Sequence, residues 1–575
     1  MNPEISARPR RSRRRPGKLL LVLLLFIAAA SVAIWWKIAN SANTSYAVPP
    51  YAAKDNPIMI EGKWTGSYAQ GQGEGLLISA DLAGELLGDG VRYEEDTESI
   101  ILTTDTKVVH FKTGELDATM NRKPFSMRFA ATKAEDGLYL PIAPLKELFG
   151  IKAETGAGIV SLFLPGDTVQ HAAVPDESAK GIKLREGPDK SYPIVEDLPA
   201  GADLRIWSEE EGWYRAQSAA GHIGYVAKSG VVLRDIETVP SVVTEEEPFV
   251  AWKTAGQKIN LTWEAVYSKN PDTSKIGELQ GVNVVSPTWF ELVDGQGNVR
   301  SNADANYSAW ARSKGMQVWG LFSNSFEPDR THEALSTYES RSNMIQQMLA
   351  YAKTFKLQGV NIDFENVYTK DKDNFVQFVR EMTPLMHEQK LVVSVDVTPK
   401  SNSEMWSAFL DRARLGESVD FMMLMAYDEH WASSPVAGSV SSLPWTENSI
   451  KRILEEDGVP PEKLILGVPY YTRIWTEDAD GKVSSKTMSM DAVNQLLEEK
   501  KLEPTFSEET GQHYVEFKED GSTKKIWIED AVSMKARIEL IRKYDLGGVA
   551  SWRRGFESQD IWGVVDENLQ SVLPK

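Results

Sequence analysis

Short apolar runs of strand length alternate with longer helical patterns throughout the C-terminal part of the chain. Most of these runs are separated by helical spacing, as in MIQQMLAYAKTF (344–355), whose apolar residues share one face. Strand–helix alternation repeated eight times over about 320 residues is what a closed (β/α)8 barrel, the TIM-barrel fold, requires. We therefore predict this fold for residues 251–575. The eight runs are INLTWEAVY (259–267), GVNVVSP (281–287), MQVWGLFS (316–323), GVNIDFE (359–365), LVVSVDVTP (391–399), VDFMMLMAY (419–427), LILGVPYY (464–471) and GGVASW (547–552).

The stretch before the eighth run is too long for a simple connection. TMSMDAVNQLLEEKK (487–501) has a helical pattern, and TFSEETGQHYVEFKEDGSTKKIWIED (505–530) reads as two strands around a turn. The sequence therefore predicts a small α+β insertion, at about 476–530, above the barrel.

The fourth run contains two acids in an otherwise apolar segment, LQGVNIDFENV (357–367). Alternate side chains of a strand point to opposite faces of the sheet. The set expected to face outward, against the helices, is Val360, Ile362 and Phe364. The set expected to face the barrel interior is Asn361, Asp363 and Glu365, with Glu365 highest. The C-terminal mouth toward which this second set rises is where barrel enzymes do their chemistry.

Two carboxyl groups placed this close resist being ionised together, so the pKa of one of them is expected to rise. A glutamic acid with a raised pKa is a general acid at neutral pH. The alternative is a structural ion pair with a basic residue of the barrel. The neighbouring strand runs contain no Lys or Arg, which favours a catalytic role for Glu365 and Asp363.

The N-terminus has the pattern of a membrane anchor. Residues 1–18 hold seven basic groups and one acid, and an uncharged apolar run follows from 19 to 36. This run is near the minimum length for crossing a bilayer and longer than the usual core of a signal peptide. We expect a cytoplasmic basic tail (1–18), a single transmembrane helix (19–36) and all later domains outside the cell membrane. A cleaved signal, which would leave a secreted or cell-wall protein, is the alternative, because Ala39, Ser41 and Ala42 follow the run.

Composition excludes several classes of function. The chain has 575 residues, no cysteine and 7 His without metal-ligand spacing, so neither a metal site nor a cofactor is predicted. Its net charge is −19, and −25 without residues 1–18. Such an acidic body repels polyphosphate, so no nucleic acid is expected as a partner.

Two further domains are predicted between the anchor and the barrel. Residues 56–166 contain an internal echo, GLLISADLAGELLG and GLYLPIAPLKELFG, that resembles the copper amine oxidase N-terminal domain, an α/β stalk-like module. Residues 178–235 show short strands separated by turns, and the pieces LREGP, GWYRA and GHIGYV resemble a bacterial SH3-type β-barrel. A polar linker is expected at 236–250. Three aromatic residues of the SH3-type domain could line a ligand groove or belong to its core: Trp213, Tyr214 and Tyr225.

The barrel segment resembles glycoside hydrolase family 18, which includes chitinases and N-acetylglucosaminidases. QGVNIDFE is similar to the family signature D-G-x-D-x-D-x-E, LMAYDEH (424–430) to its M-x-Y-D segment, and GGVASW to its last strand ending in Trp. The resemblance is nearest to a subgroup that has Asn at the third signature position and acts on peptidoglycan. This chain departs from the family pattern at Gln358 and Asn361, where acids are usual, and in GLFSNSF after the third run.

The resemblance implies a retaining mechanism assisted by the 2-acetamido group of the substrate. Glu365 would protonate the glycosidic oxygen, and Asp363 would orient the acetamido group, to which Tyr427 would donate a hydrogen bond. The substrate-binding set implied by the resemblance is Asn361, Asp428, Trp552, Tyr471 and Arg473, with Trp552 as an apolar floor.

The predicted function is hydrolysis of β-1,4 bonds next to N-acetylglucosamine. Peptidoglycan is the expected partner, because SH3-type and stalk-like modules suit a cell-wall setting, and chitin is the alternative. A sugar-binding, lectin-like protein without turnover is a further alternative, which the retained Glu365 disfavours. A rigid scaffold held at the membrane is a weaker one.

Overall fold

The structure is a computed structural model that describes residues 17–39, 41–178, 180–242, 249–251 and 257–570. The chain divides into two compact units, one formed by 1–82 with 134–243 and the other by 83–133 with 244–575. Most of the predicted basic tail (1–18) and part of the predicted linker (236–250) lie outside the described residues.

The first helix, α1 (Gly17–Ala39), contains the predicted membrane span, 19–36. The side chains described in this helix, from 21 to 37, are exposed. Among the helices of the described residues, none meets the combined length and apolarity of a membrane-crossing segment.

The chain before the barrel is mainly β-structure. Its helices after α1 are α2 (Ala80–Leu87) and α3 (Ile142–Phe149). Its strands are β1 (Pro57–Ile60), β2 (Lys63–Tyr68), β3 (Leu77–Ser79), β4 (Val91–Glu94), β5 (Ser99–Thr103), β6 (Val108–Lys112), β7 (Asp117–Met120), β8 (Lys123–Ser126), β9 (Thr132–Ala134), β10 (Gly137–Pro141), β11 (Lys152–Gly156), β12 (Ile159–Phe163), β13 (Thr168–Ala173), β14 (Ile182–Arg185), β15 (Ile194–Leu198), β16 (Asp203–Glu210), β17 (Trp213–Ser218), β18 (Ile223–Ala227) and β19 (Val232–Thr238).

The SH3-type domain is a seven-stranded sheet in the order β15-β14-β18-β17-β16-β13-β19. The segment after α1 extends this sheet at β15, where Tyr46 forms a parallel bridge with Ile194. The three aromatic residues of the predicted ligand groove are all half-buried. Tyr225 donates a hydrogen bond to Glu210, and Lys228 lies 5.2 Å from the ring of Tyr214. Tyr214 also packs against the core of this domain, as the alternative to a ligand groove expects, and the groove itself is untested.

All eight predicted barrel strands are present, and every neighbouring pair is parallel. The first strand pairs with both the second and the eighth, so the sheet closes. A short strand, β22 (Val299–Ser301), pairs antiparallel with the end of the second strand. The barrel strands are β20 (Ile259–Glu264), β21 (Val284–Leu292), β23 (Gln317–Ser323), β24 (Gly359–Asp363), β25 (Val392–Val397), β26 (Phe421–Met425), β27 (Leu464–Pro469) and β33 (Gly548–Trp552).

The helices surround this sheet and cover its outer face. Val360, Ile362 and Phe364 belong to the large core between strands and helices, as the alternation of the fourth run predicts. Phe364 stacks on Phe375 and Phe378 of the helix that follows β24, with ring centroids 5.5 and 5.7 Å apart. The helices are α4 (Ala305–Ser313), α5 (Pro328–Ser336), α6 (Tyr338–Phe355), α7 (Lys372–Glu388), α8 (Arg412–Ser418), α9 (Leu443–Glu456), α10 (Met490–Lys500), α11 (Ala531–Tyr544) and α12 (Ile561–Gln570).

The insertion before the eighth strand is a five-stranded sheet packed on α10, and it begins earlier than the expected 476. Its first strand starts at Tyr471, directly after the seventh barrel strand. The first strand of the insertion continues from the seventh barrel strand almost without a turn. The side chains of this insertion strand therefore lie beside the barrel mouth. The strands are β28 (Tyr471–Glu477), β29 (Val483–Ser489), β30 (Thr505–Ser507), β31 (Gln512–Glu519) and β32 (Ser522–Ile528).

The antiparallel sheet β4–β8 belongs to the same unit as the barrel. A buried ion pair network joins the two: Arg341 of α6 contacts Glu94 of β4 at 2.6 Å and Glu381 of α7 at 2.7 Å. Glu94 also accepts a hydrogen bond from the backbone N–H of Tyr338. Nearby, Arg414 of α8 pairs with Asp89. Part of the predicted stalk-like domain is thus an integral layer on the helices of the barrel.

We expect Arg341→Met to lower the free energy of unfolding of this unit by about 3–5 kcal/mol, because the buried carboxylate of Glu381 loses its counter-charge and Glu94 keeps only its pair with Arg92. Scanning calorimetry of the full chain measures the shift in the unfolding transition. A matched control is Lys112→Met, which breaks the exposed pair with Glu339 on the same surface and should cost below about 1 kcal/mol. Equal effects of the two substitutions would show that the buried network does not hold the sheet on the barrel.

Candidate active site

The site is built on the inward face of β24. Asn361 and Asp363 are buried inside the barrel, and Glu365 is partly accessible. The strand ends at Asp363, two residues earlier than the sequence predicts. Glu365 therefore lies just beyond the strand, at the mouth, and its position depends on contacts other than the strand ladder.

Asn324, at the end of the third strand, supplies those contacts. Its side-chain Oδ1 accepts from the backbone N–H of Glu365 at 3.0 Å, and its Nδ2 donates to the carbonyl of Glu365 at 2.7 Å. Asn324 is fully buried and also donates to Thr331. This two-point contact fixes the backbone of Glu365. The sequence analysis missed Asn324, because nothing in GLFSNSF marks it as the partner of a residue 41 positions away.

The amide of Asn361 is held in a single orientation. The indole N–H of Trp263 and the hydroxyl of Ser286 donate to its Oδ1 at 2.8 and 3.1 Å. An indole N–H can only donate, so the side-chain NH2 of Asn361 must face the other way. There it donates to Asp396 of β25 at 2.7 Å.

Asp396 is a third acid of the site, and sequence reasoning missed it. Its burial, with a further contribution from the negative charges of Asp363 and Glu365, raises its pKa well above the usual range. The sequence does contain a pattern that predicts its inward direction. In LVVSVDVTP, Ser394 and Asp396 alternate with valines, just as Asn361 and Asp363 alternate with apolar residues in the fourth run. The acid that this chain lacks at Asn361 is thus present on the neighbouring strand.

The electrostatics match a general acid. Burial raises the pKa of Asp363 to about 7. Burial, together with the charges of Asp363 and Asp428, holds the pKa of Glu365 well above its usual range. The two carboxyl groups also share a hydrogen bond. Among the described residues, no Lys or Arg forms an ion pair with either of them, so the alternative of a structural ion pair is not observed. The raised pKa favours the protonated form of Glu365, which a general acid requires.

Tyr427 and Tyr471 form the adjoining wall. Burial and the surrounding acids, Asp396 first, raise the pKa of Tyr427 well above its usual value, so its phenol remains a donor. The rings of Tyr427 and Tyr471 lie 6.3 Å apart. Tyr471 and Arg473, both on β28, donate to the same oxygen of Asp428, at 2.6 and 2.9 Å. The structure thus brings Asp428, Tyr471 and Arg473 together as the sequence analysis predicts.

Trp552 closes the interior side of the site. It is the last residue of β33, and its ring lies 5.9 Å from that of Trp263. It packs, partly buried, with Tyr427 against the core inside the barrel. All the predicted catalytic and substrate-binding residues therefore lie at one end of the barrel, although their individual roles remain predictions. Within the described ranges, no cluster of three or more potential metal ligands is found.

Comparison with known proteins identifies the barrel. Residues 296–557 match the family model described as glycosyl hydrolases family 18. This match runs from after the second barrel strand to beyond the eighth and covers less than half of the chain. The barrel domain, called the family 18 domain below for this similarity, is a glycosidase, an enzyme that hydrolyses glycans. Residues 180–232 match the bacterial SH3 domain, and residues 68–160 match the copper amine oxidase N-terminal domain. All three resemblances predicted from sequence are confirmed.

The relatives include bacterial glycosylases. An uncharacterized glycosylase of Bacillus subtilis (strain 168), YvbX, is 25% identical over 325 residues, which is 54% of this chain and 91% of that protein. A cortical fragment-lytic enzyme of Bacillus anthracis is 24% identical over 260 residues, 44% of this chain and 59% of that enzyme. The solved spore cortex-lytic enzyme SleL of Bacillus megaterium QM B1551 shares the fold, with a TM-score of 0.50 and 19% identity over 58% of this chain and 76% of that one.

The raised pKa of Asp363 makes stability depend on pH. An ordinary aspartic acid titrates near 3.9 when unfolded, so between about pH 4 and 7 the folded chain retains a proton that the unfolded chain has lost. The free energy of unfolding should therefore fall as pH rises through this range. Asp363→Asn removes this titration, and its stability relative to the unsubstituted protein should increase from pH 5 to pH 8.

Urea denaturation of both proteins at the two pH values measures this change. Asp491→Asn, on the exposed first turn of α10, is the control and should show no such trend. A stability difference between Asp363→Asn and the unsubstituted protein that is the same at pH 5 and pH 8 would contradict a raised pKa for Asp363.

Proposed function

We propose that the protein is an extracytoplasmic glycosidase that cleaves β-1,4 bonds next to N-acetylglucosamine in peptidoglycan, by a retaining mechanism in which the substrate's acetamido group is the nucleophile. The observation that carries this proposal is the hydrogen-bonded pair of Asp363 and Glu365, of which Glu365 is held protonated at the barrel mouth.

The position of this pair argues against a nucleophile supplied by the protein. A retaining enzyme with its own nucleophile places its two carboxyl groups on opposite sides of the scissile bond, about 5–5.5 Å apart. Here the two groups lie two residues apart on one face and bond to each other, so both approach the sugar from the same side. The other acid at the mouth, Asp428, is neutralised by Arg473.

In the proposed reaction, the carboxylic acid of Glu365 gives its proton to the glycosidic oxygen as the bond from that oxygen to the anomeric carbon breaks. The carbonyl oxygen of the acetamido group bonds to the same carbon, which gives an oxazolinium ion, and the protonated leaving sugar departs. Asp363 accepts the acetamido N–H and balances its positive charge, while Tyr427 donates to the acetamido oxygen. Water then adds to the anomeric carbon, returns one proton to Glu365 and restores the acetamido group.

Two observations support peptidoglycan over chitin. The family 18 domain follows an SH3-type domain and a copper amine oxidase N-terminal-type domain, modules that suit a cell-wall setting by analogy. In addition, relatives from several Bacillus species are named cortical fragment-lytic enzymes.

We further propose that α1 anchors the protein in the cell membrane, with the later domains outside. Its exposed side chains between 21 and 36 are almost all apolar, which suits a lipid environment. The basic residues of 1–18 precede this helix and would stay on the cytoplasmic side.

Glu365→Gln tests the mechanism. The amide has nearly the same shape and cannot donate the required proton, so kcat/KM on purified peptidoglycan should fall by about 10²–10⁴-fold, while binding of the glycan persists. Release of reducing ends measures activity, with chitin oligomers assayed in parallel. Undiminished activity of the variant would refute the mechanism. Binding without hydrolysis by the unsubstituted protein would indicate a lectin, and hydrolysis of chitin oligomers alone would indicate a chitinase.

Cell fractionation tests the location. The intact 575-residue chain should sediment with membranes and be digested by protease added to protoplasts, because its domains face outward. Deletion of residues 1–42 should release the protein from the membrane fraction. Recovery of a chain whose N-terminus begins shortly after residue 39 would instead indicate a cleaved signal.

A further inference from the structure

An arginine at the barrel mouth carries a charge that the proposed reaction does not use. Arg553 directly follows Trp552, the last residue of the eighth barrel strand. Its guanidinium lies over the ring of Phe556, 4.0 Å from the centroid. Its Nη1 makes a long hydrogen bond, 3.4 Å, to the carbonyl of Arg554. No carboxylate of the described residues forms an ion pair with Arg553.

The two neighbouring arginines are neutralised. Arg473 forms an ion pair with Asp428 at 2.9 Å. Arg554 forms an ion pair with Glu264, with Nη2 2.8 Å from Oε1. Arg553 is thus a cation without a carboxylate partner among the described residues, in a chain whose net charge is −19.

A continuous series of ring contacts connects Arg553 to the reaction centre. Tyr427 lies 6.3 Å from Tyr471, and Tyr471 lies 6.2 Å from Phe556, on which Arg553 stacks. Arg553 is therefore linked through these rings to the residues around the acid pair. A glycan that extended from the reacting sugar over these rings would come close to its guanidinium.

The guanidinium is prepared to bind an anion. Stacking on Phe556 restricts its orientation, so less side-chain entropy is lost when a ligand binds. The planar fork of donors matches a carboxylate, to which it can form two parallel hydrogen bonds. Chitin is an uncharged polymer of N-acetylglucosamine. Peptidoglycan carries carboxylates on its stem peptides and, where these peptides have been removed, on the lactyl group of its muramic acid.

We propose that Arg553 binds a carboxylate of the glycan and makes the enzyme select peptidoglycan over chitin. This inference rests on the proposed function, whose substrate class it specifies. An acidic protein repels an anionic polymer, and a fixed cation at the mouth offsets this repulsion where the chain must enter. Arg553 acts on substrate choice and takes no part in proton transfer.

The test compares Arg553→Gln, Arg553→Lys and the unsubstituted full chain on three substrates. These are glycan strands freed from stem peptides by an amidase, the same strands with their lactyl carboxyl groups converted to amides by a carbodiimide, and a chitin hexamer. The ratio of kcat/KM for the strands to that for the hexamer should fall about tenfold in Arg553→Gln. In Arg553→Lys this ratio should fall less than in Arg553→Gln. The difference in ratio between the unsubstituted protein and Arg553→Gln should become smaller as the salt concentration is raised.

Arg312→Gln is the matched control, because Arg312 lies in the last turn of α4, which leads into the start of the third strand, and donates to the backbone carbonyls of Phe355 and Lys356. It should leave the ratio unchanged. Amidation of the strands should reproduce in the unsubstituted protein the loss seen in Arg553→Gln. Strands that keep their stem peptides are assayed as a fourth substrate. If the loss appears only with them, the carboxylate of the stem peptide is the ligand, which still supports the proposal.

An unchanged ratio in Arg553→Gln on every carboxylate-bearing substrate would overturn the inference. A binding measurement distinguishes failure of this inference from failure of the proposed function. In the Glu365→Gln background, the Kd for the strands should rise about tenfold when Arg553→Gln is added, whether or not the enzyme hydrolyses them. Absence of hydrolysis by the unsubstituted protein would refute the proposed function, while an unaltered Kd would refute the role of Arg553.

Discussion

Burying carboxyl groups inside a barrel without a counter-charge is costly, and the chemistry of this site depends on that cost. Asp363, Glu365 and Asp396 lie together, and among the described residues none of them has a basic partner. Ionising all three would place several negative charges in a poorly solvated space. The folded chain avoids this by keeping protons on the group. The proton that Glu365 needs for catalysis is therefore a consequence of burial.

Positioning is divided between several segments that are distant in sequence. Asn324 fixes the backbone of Glu365, and Trp263 fixes the amide of Asn361, which in turn contacts Asp396. The insertion supplies Tyr471 and Arg473, which orient Asp428. Because these groups lie on different strands, their geometry depends on closure of the barrel and on the placement of β28 beside its mouth.

The sheet β4–β8 shows why boundaries between modules are difficult to read from a sequence. The echo at 56–166 reads as one repeated module, and the family match spans 68–160. In the structure, residues 83–133 group with the barrel, because Arg341 and Arg414 of its helices pair with Glu94 and Asp89. Ile101 and Val108 of the same sheet also pack into the large core of the barrel. These contacts join residues that are distant in sequence, and no periodic pattern marks them.

The sequence by itself determined the eight strands, the inward direction of Asn361 and Asp363, the family and most of the site residues. These follow from local rules, because strand alternation and helical spacing act within a few residues. Only the tertiary structure decided which groups share protons and which charges are neutralised. Asp396 lies beside the acid pair, and Arg473 is neutralised by its ion pair with Asp428. Arg553 has no carboxylate partner among the described residues. These outcomes depend on distances across the closed barrel, since desolvation and Coulomb energies are set by neighbours in space, which the order of residues along the chain does not specify.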